Sequence, residues 1–216
     1  MIPKIIHQIW LGPKPIPKWT KSWEHVPGWN YRLWTAKDLV PLPNLQKEFD
    51  ACPTYYSYQS DLARLEILYK YGGLYLDCDC FNLRPIPKDF FKPDDKFVPI
   101  YESEENYPGL IANGIMAAEP HCITVKFLIH KLKNVKAPQS DIRTPWRTGP
   151  IWMTRLLNQK KYKALNLPMR IMPSIYFLPE WQKTTVMDPK PENYPNSIAF
   201  HFWGSVNPNT PEYNYQ

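Results

Sequence analysis

The chain has 216 residues, 44% of them hydrophobic, and 26 lysines and arginines against 20 acidic residues give it a formal net charge of +6. This length and apolar content suffice for the core of one α/β domain, so we expect residues 1–216 to form a single domain. The basic residues are scattered rather than gathered in a block. Anionic partners are therefore favoured in general, and nucleic acid is not indicated.

The chain shows no sign of export or of a membrane anchor. No stretch reaches the apolar length of a membrane span, and residues 1–6 lack the pattern of a secretory signal. The cysteines lack paired zinc-ligand spacing, and Cys78-x-Cys80 alone is a weak metal signal. We therefore expect a soluble, cytoplasmic protein with reduced thiols.

The first part of the chain predicts two strands and a short helix. Residues Lys4–Trp10 are largely apolar and predict a strand, and Tyr31–Trp34 predict a short second strand. Thr35 is expected to cap a short helix that runs through Val40. His7 lies on the apolar first strand, where a histidine satisfied within the core is more common than a ligand.

A longer helix is predicted next, with Ser60 as its N-cap and the pair Gly72-Gly73 as its end. Leucines recur on one face of this helix, and Asp61 and Arg64 lie one turn apart at the edge of that stripe. Two roles fit these polar residues. They form a structural i,i+3 ion pair, or they bind a ligand.

A strand is predicted to begin near Leu74. If the chain stays extended, Tyr75, Asp77 and Asp79 lie on one of its faces. Two carboxylates on one face repel each other unless a cation lies between them or one of them is protonated. The segment therefore indicates a divalent metal at the end of a strand, beside a negatively charged ligand.

The rest of the chain continues the alternation of strands and helices. Strands are predicted at Lys96–Tyr101, Leu110–Ala118 and Ser197–Trp203, and helices at Pro120–Asn134 and Pro150–Lys161. Such alternation is typical of an α/β fold with a mainly parallel central sheet flanked by helices. Ligands of such sheets gather at the carboxyl ends of the strands.

Two further segments have open roles. The acidic run from Glu102 to Glu105 is either solvated loop or the source of an acceptor-side or catalytic carboxylate. Loops usually form acceptor pockets, and Pro99–Leu110 is one candidate. Thr148 and Gly149 suit the cap of the following helix.

Several motifs occur in an order that resembles one known family. They are Ile5-Ile6-His7-Gln8-Ile9-Trp10-Leu11-Gly12, Ser60-Asp61-x-x-Arg64, Leu68-Tyr69-x-x-Gly72-Gly73-x-Tyr75-x-Asp77-x-Asp79, Asn113, Thr148-Gly149-Pro150 and His201-x-x-x-Ser205. The pattern is similar to the DXD-motif glycosyltransferase family that contains the yeast initiating α-1,6-mannosyltransferase, and distantly to the clostridial glucosylating toxins. Soluble members of this kind occur in large DNA viruses of algae and in bacterial capsule synthesis.

The resemblance implies a GT-A fold, that is, a single Rossmann-like nucleotide-sugar-binding domain. It implies a metal-dependent glycosyltransferase with Mn²⁺ or Mg²⁺ as cofactor. The donor would be a nucleotide sugar, with a UDP-sugar such as UDP-glucose favoured and GDP-mannose second. The acceptor would be a hydroxyl of a glycan or glycoprotein, and the anomeric configuration would be retained.

The resemblance also implies roles for residues around the metal. Asp79 would be a direct ligand, and Asp77 would contact the metal through water or contact the donor. His201 would be a remote ligand, because it faces away from the apolar row of the last strand. Asp61 and Arg64 would hold the donor, as a hydrogen-bond acceptor and a phosphate or sugar contact.

Further residues are implied to bind the substrates. Ile9 and Trp10 would form the pocket for the base, although Trp10 suits core packing equally well. Asn113 would reach the donor sugar or the acceptor. Ser205 would contact the metal or the donor, but this chain has Val206 where the family has a tryptophan, which weakens that assignment.

Two other classes of function remain open. A metal-dependent phosphoesterase or nuclease also uses paired aspartates and a histidine, usually with more carboxylates for a second metal. A non-catalytic carbohydrate-binding module would use the aromatic residues, which make up 15% of the chain, as stacking platforms. Neither class accounts for Asp61, Arg64, the Gly-Gly turn and His201 together.

Overall fold

The computed structural model describes residues 1–39, 41–133, 135–137, 144–182 and 185–204. The strands are β1 (Ile5–Trp10), β2 (Asn30–Thr35), β3 (Gly73–Leu76), β4 (Cys80–Asn82), β5 (Phe97–Ser103), β6 (Tyr107–Ala118) and β7 (Ala199–His201). The α-helices are α1 (Gln46–Asp50), α2 (Tyr56–Tyr71), α3 (Ile123–Leu132), α4 (Thr144–Arg147), α5 (Pro150–Asn158) and α6 (Lys160–Lys163). Short 3-10 helices cover Lys18–Trp23, Ser174–Tyr176 and Pro191–Asn193.

The central sheet has five strands in the order β2-β1-β3-β6-β5. Strand β1 pairs in parallel with β2 and β3, whereas β6 pairs antiparallel with β3 and with β5. Within this five-stranded sheet, every strand except β6 therefore points the same way. The predicted α/β class and mainly parallel sheet are confirmed, and the carboxyl ends of β1, β3 and β5 meet at one edge.

The two faces of the sheet are covered differently. Helices α2, α3 and α5 bury leucine, valine and methionine side chains against one face. The other face packs against Trp23 of the first 3-10 helix and against the antiparallel pair of β4 and β7. This small second sheet follows directly from Asp79 and thus lies beside the edge where the strands end.

The Gly-Gly pair that ends α2 is needed for two reasons. Gly72 and Gly73 have φ angles of 64° and 98°, in the left-handed region that glycine tolerates. A Cβ on Gly72 would lie 2.8 Å from Pro3 Cδ, and one on Gly73 would lie 2.5 Å from the carbonyl oxygen of Ile5. The predicted helix stop is confirmed, and the close approach brings α2 directly onto β1.

Some predicted boundaries are wrong. Helix α2 begins at Tyr56, so Ser60 lies inside the helix and does not cap it. Thr35 ends β2, and its backbone N–H and hydroxyl donate to Asp38 at 2.9 and 2.7 Å within a turn, so no helix follows up to residue 39. Val40 lies outside the described residues.

The later elements also differ from the prediction in their extent. The segment Pro99–Leu110, expected as a loop, belongs largely to strands β5 and β6. The helix predicted over Pro150–Lys161 is interrupted at Gln159, which has extended backbone angles between α5 and α6. Strand β7 ends at His201, because Trp203 has a φ of 57° and the chain turns.

Two other expectations concern the cysteines and the membrane. All four cysteines lie among the described residues, where they are buried and form no disulfide, as expected for reduced thiols. Among the residues that the structure describes, no helix is long and apolar enough to cross a membrane.

His7 lies in the core, as the sequence indicates. Its Nε2 lies 2.9 Å from the carbonyl oxygen of Gly72, and the indole N–H of Trp34 donates to its Nδ1 at 3.1 Å. The neutral imidazole therefore donates through Nε2 and accepts through Nδ1. Burial lowers the pKa of His7 to about 4, and the nearby charge of Arg32 acts in the same direction.

His7 is expected to make the protein sensitive to acid. An unfolded histidine titrates near 6.5, so the stability that neutral His7 contributes is complete above that pH and is lost as the pH falls towards 4. We expect His7→Gln to remove about 2 kcal/mol of the loss in unfolding free energy between pH 7 and pH 4.5. Urea denaturation at the two pH values measures the change. His25→Gln at an exposed position is the control, and an unchanged pH dependence in His7→Gln would contradict this role.

Candidate active site

The candidate site begins where β3 ends, because the backbone after Leu76 is fixed from both sides. The N–H of Asp77 donates to the carbonyl oxygen of Gly114 in β6 at 2.9 Å. The side-chain amide of Gln8 in β1 donates to the carbonyl oxygen of Asp77 at 3.0 Å. The chain then turns through residues 78 and 79 instead of staying extended. The predicted alternation therefore does not reach Asp79, and the two carboxylates have different partners.

Arg64 is the charged centre of one half of the site, and its guanidinium lies on the ring of Tyr75 at 4.6 Å. Its Nε donates to the carbonyl oxygen of Ser60 at 3.1 Å, and one terminal nitrogen donates to the carbonyl oxygen of Asn113 at 2.7 Å. The other terminal nitrogen lies 3.1 Å from Asp61 and 3.3 Å from Asp77. Arg64 thereby connects helix α2 with strand β6 and with the end of β3.

Asp61 is fully enclosed by hydrogen-bond donors. Besides Arg64, the side-chain amide of Asn113 donates to its Oδ1 at 2.7 Å, and the hydroxyl of Thr148 donates to its Oδ2 at 2.8 Å. Burial raises the pKa of Asp61 to about 6, although Arg64 and Thr148 favour the ionised form. The i,i+3 ion pair is present, whereas a contact of Asp61 or Arg64 with a donor stays a prediction.

Asp77 is held from one side and open on the other. Its Oδ1 accepts a hydrogen bond from the Tyr75 hydroxyl at 2.7 Å and pairs with Arg64, while its side chain remains 32% exposed. Gly114 packs directly against it, because a Cβ at that position would lie 2.4 Å from Asp77 Oδ2. Asp77 is therefore oriented by Arg64 and Tyr75 with one carboxylate edge towards solvent.

Asp79 and His201 form the other half of the site. The Nε2 of His201 lies 3.1 Å from Asp79 Oδ1, and the N–H of Gly204 donates to Asp79 Oδ2 at 2.7 Å. The N–H of Trp203 donates to His201 Nδ1 at 3.2 Å. Burial by itself would raise the pKa of Asp79, but His201 and the Gly204 N–H outweigh it and hold that pKa below its usual value.

One group of side chains here has the spacing of a metal site. Ligand atoms of Asp79, Cys80 and His201 all lie within 4.8 Å of one another. A carboxylate and an imidazole suit a divalent cation such as Mn²⁺, whereas a thiol prefers softer metals. Burial also raises the pKa of Cys80 well above its usual value, so the thiol stays protonated. Asp79 and His201 therefore fit a manganese ion, and the thiol of Cys80 does not.

The residues predicted to bind substrates lie in different surroundings. Ile9 and Trp10 are both buried in apolar clusters, and the Trp10 indole donates to the carbonyl oxygen of Lys14 at 2.8 Å. The structure thus shows packing for both, and base binding stays a prediction. Asn113 lies in β6 beside Asp61 and Arg64. Ser205 and Val206 lie outside the described residues.

Some residues of the site were missed or misjudged in the sequence. Gly149 is the N-cap of α5, as predicted, whereas the Thr148 side chain does not cap this helix and donates to Asp61 instead. The hydroxyl of Ser60 lies 2.9 Å from Arg64 and accepts a hydrogen bond from it. Tyr75 holds Asp77, and its place on the same strand face was the available signal. Gly204 has no such signal, because its contact with Asp79 depends on the turn that follows β7.

Comparison with known families agrees with this site. Residues 17–99, which include both aspartates of the Asp77-x-Asp79 motif, match the model of the glycosyltransferase sugar-binding region containing the DXD motif. The resemblance to the DXD-motif glycosyltransferase family that the sequence predicts is therefore confirmed.

Two curated relatives show how far the similarity extends. A human alpha-1,4-N-acetylglucosaminyltransferase is 32% identical over 165 residues, which are 68% of this chain and 43% of the human protein. Inositol phosphoceramide mannosyltransferase 3 of Schizosaccharomyces pombe is 37% identical over 87 residues, which are 36% of this chain and 24% of the yeast protein. The chain thus spans less than half the length of either relative.

A solved structure supports the fold. The PaToxG glycosyltransferase superposes with a TM-score of 0.51 over 76% of this chain and 73% of its own, at 17% identity. This likeness is one of fold alone. It confirms the predicted GT-A type of α/β architecture.

Gly114 offers a direct test of how Asp77 is held. Gly114→Ala is expected to lower the free energy of unfolding by about 1–3 kcal/mol, because the new Cβ displaces the Asp77 carboxylate from Tyr75 and Arg64. In a protein that also carries Asp77→Ala, Gly114→Ala should lower the free energy of unfolding by much less, because the displaced carboxylate is absent. Urea denaturation of the four proteins of this double-mutant cycle measures the coupling. An equal cost in both backgrounds would show that Gly114 does not position Asp77.

Proposed function

We propose that this chain is a metal-dependent glycosyltransferase that moves a sugar from a nucleotide sugar to a hydroxyl of a glycan or glycoprotein. The observation that carries the proposal is the arrangement at the end of β3. There Asp79 pairs with His201, and Asp77 is oriented by Arg64 and Tyr75. The DXD-motif match over residues 17–99 supports the same activity.

Asp79 and His201 are the proposed ligands of Mn²⁺, with Mg²⁺ as the second choice, and Asp77 contacts the ion through water or contacts the donor. When bound, the ion acts as a Lewis acid that stabilises the negative charge of the leaving nucleoside diphosphate. Gly204 keeps one oxygen of Asp79 in place through its N–H. The ring of Trp203 lies 4.6 Å from that of His201, in an edge-on contact that orients the imidazole. In the structure the Trp203 N–H donates to Nδ1, so Nε2 carries the ring proton towards Asp79. Coordination of a metal through Nε2 would move this proton to Nδ1 and would break the contact with the Trp203 N–H.

A hydrogen-bonded network lies next to Asp77 and consists of Asp61, Arg64 and Asn113. The hydrogen bonds of Arg64 go to protein groups, and both oxygens of Asp61 are occupied. We propose that their main task is to orient Asp77, and that the donor contacts of Asp61, Arg64 and Asn113 are made at the edges of this network. Ile9 and Trp10 are proposed to line the base pocket, and Ser205 to contact the metal or the donor.

The donor and the acceptor are proposed from the resemblance. A UDP-sugar such as UDP-glucose is the first choice, and GDP-mannose is the second. The names of the relatives specify transfer of N-acetylglucosamine and of mannose, which fits both kinds of donor. A capsid or capsule glycan is the proposed setting of the acceptor. Retention of the anomeric configuration would result from a same-face displacement in which the leaving phosphate takes the proton of the acceptor hydroxyl. NMR of the freshly formed product tests this, because it shows whether the anomer matches that of the donor.

The two alternative classes are less well supported. A two-metal phosphoesterase needs further carboxylates, whereas the described ligand atoms that lie within 4.8 Å of one another come from Asp79, Cys80 and His201. A carbohydrate-binding module does not need a buried ion pair between Arg64 and two aspartates. Glycan binding that survives both EDTA and Asp79→Ala would nevertheless favour the module.

The remaining expectations stay predictions. We propose that residues 1–216 form one domain. We also propose that the protein is cytoplasmic and that it does not bind nucleic acid.

A panel of UDP- and GDP-sugars tests the proposed activity. The wild type is expected to release sugar from one donor in the presence of Mn²⁺, and EDTA should abolish the reaction. Asp79→Ala should lower the rate at least 100-fold, because the loss of a metal ligand removes charge stabilisation of the leaving group.

Metal binding can be measured separately as a shift in thermal unfolding. Mn²⁺ with UDP should stabilise the wild type and have little effect on His201→Ala. Asp188→Ala, which removes an exposed carboxylate, is the control. Release of phosphate from generic phosphodiesters without any sugar release would contradict the transferase proposal and favour the phosphoesterase.

A further inference from the structure

The acidic run at the end of β5 contains three glutamates in very different surroundings. The carboxylate of Glu104 accepts hydrogen bonds from the N–H of Ser174 at 3.0 Å and from the Ser174 hydroxyl. Glu105 is exposed to solvent. Glu102 is only 7% exposed. The sequence left open whether this acidic run is a solvated loop. Glu102 does not belong to such a loop, because it is buried and lies within β5.

Glu102 is a buried carboxylate that lacks a partner within the described part of the chain. Among residues 1–39, 41–133, 135–137, 144–182 and 185–204, none makes a hydrogen bond or ion pair with its side chain. Burial raises the pKa of Glu102 to about 7, and only the charge of His201 opposes this effect. The oxygens of Glu102 are not among the enclosed polar atoms that lack a hydrogen bond, so solvent still reaches the carboxylate, and a bound ligand can contact it.

Glu102 lies where the regular pairing of β5 with β6 is interrupted. Val98 and Ile100 of β5 belong to the core between the central sheet and the small second sheet, and Glu102 follows two residues later. The register between β5 and β6 shifts between Tyr101 and Ser103, so Glu102 lies at a bulge. Bulges turn side chains out of the regular alternation and are common beside active sites.

Glu102 also lies at the same edge of the sheet as the candidate site. Strands β3 and β5 run in the same direction, because each pairs antiparallel with β6. The carboxylate of Glu102 is close enough to His201 and Asp77 for both charges to act on its protonation. Glu102 therefore lies on the β5 side of the candidate site, at the sheet edge where β3 and β5 both end.

We infer that Glu102 is a substrate-binding residue that accepts a hydrogen bond from a sugar hydroxyl at the reacting centre. This inference rests on the proposed transferase function. The hydroxyl belongs either to the transferred sugar or to the acceptor, both of which must approach the leaving phosphate. A hydroxyl supplies the donor that the buried carboxylate lacks, whereas a phosphate would be repelled by it.

Glu102 is a weaker candidate for the metal itself. The ligand atoms that cluster within 4.8 Å belong to Asp79, Cys80 and His201, and Glu102 is not in that group. A hydroxyl contact also explains why the side chain is buried without an ion pair. The substrate hydroxyl would replace the solvent that reaches this carboxylate, and the hydrogen bond would form in a largely buried setting.

The test compares Glu102→Gln with Glu105→Gln, which makes the same change at an exposed position of the same run. Calorimetry with Mn²⁺ measures the affinity for UDP and for UDP-glucose, or for GDP and GDP-mannose if the donor panel selects mannose. Glu102→Gln should bind the nucleotide within twofold of wild type. If the hydroxyl is on the donor, it should bind the nucleotide sugar at least 10-fold more weakly.

The second arm of the test concerns the acceptor. If the hydroxyl belongs to the acceptor, donor binding and donor hydrolysis should be preserved, and transfer should lose at least 10-fold in kcat/KM for the acceptor. Thermal unfolding of both variants verifies that they fold. Glu102→Gln that matches Glu105→Gln in both arms would overturn the role of Glu102 alone. Failure of the wild type to bind either nucleotide with Mn²⁺ would overturn the proposed function, and this inference with it.

Discussion

The buried guanidinium of Arg64 is the interaction on which the rest of the site depends. It carries one positive charge into the interior and places it beside two carboxylates, those of Asp61 and Asp77. Removing one partner of a buried ion pair commonly costs about 3–5 kcal/mol, because the remaining charge is left without compensation. Arg64 also binds the carbonyl oxygen of Asn113, so the end of β3, the middle of β6 and the surface of α2 are fixed relative to one another.

The site nevertheless has more negative than positive groups. Arg64 compensates part of the charge of Asp61 and Asp77, and His201 pairs with Asp79. Glu102 lies within reach of the charges of His201 and Asp77, and it has no ion-pair partner of its own among the described residues. Such an excess favours a bound cation, and a cation in turn attracts the diphosphate of a nucleotide sugar. The two aspartates of the motif are positioned by different parts of the fold. Arg64 orients Asp77 from α2, and the turn after β7 holds Asp79 through the N–H of Gly204.

Much of this architecture follows from local sequence patterns. The alternation of strands and helices predicts the α/β class, and Gly72-Gly73 predicts the end of α2, because local backbone preferences decide both.

The partners of Asp61 and Asp79 could not be predicted in the same way. Thr148 and Gly204 are 87 and 125 residues away from the aspartates to which they donate, and only tertiary packing brings these groups together. The extended geometry expected for Asp79 is wrong for a related reason, since its C=O accepts a hydrogen bond from the N–H of Phe202, which follows β7, far along the chain. Glu102 was ambiguous because a charged run usually predicts solvated loop, and a bulge that buries one member leaves no sequence signal.

Asp79 and His201 are proposed to hold a divalent cation at the end of β3. The most direct measurement is a crystal structure of the protein grown with Mn²⁺ and UDP, with diffraction data collected near the manganese absorption edge. We expect one anomalous peak within about 2.0–2.3 Å of a carboxylate oxygen of Asp79 and of His201 Nε2, distances usual for such ligands. A manganese peak elsewhere in the molecule, with the Asp79–His201 contact intact and UDP bound away from it, would show that these two residues do not hold the cation.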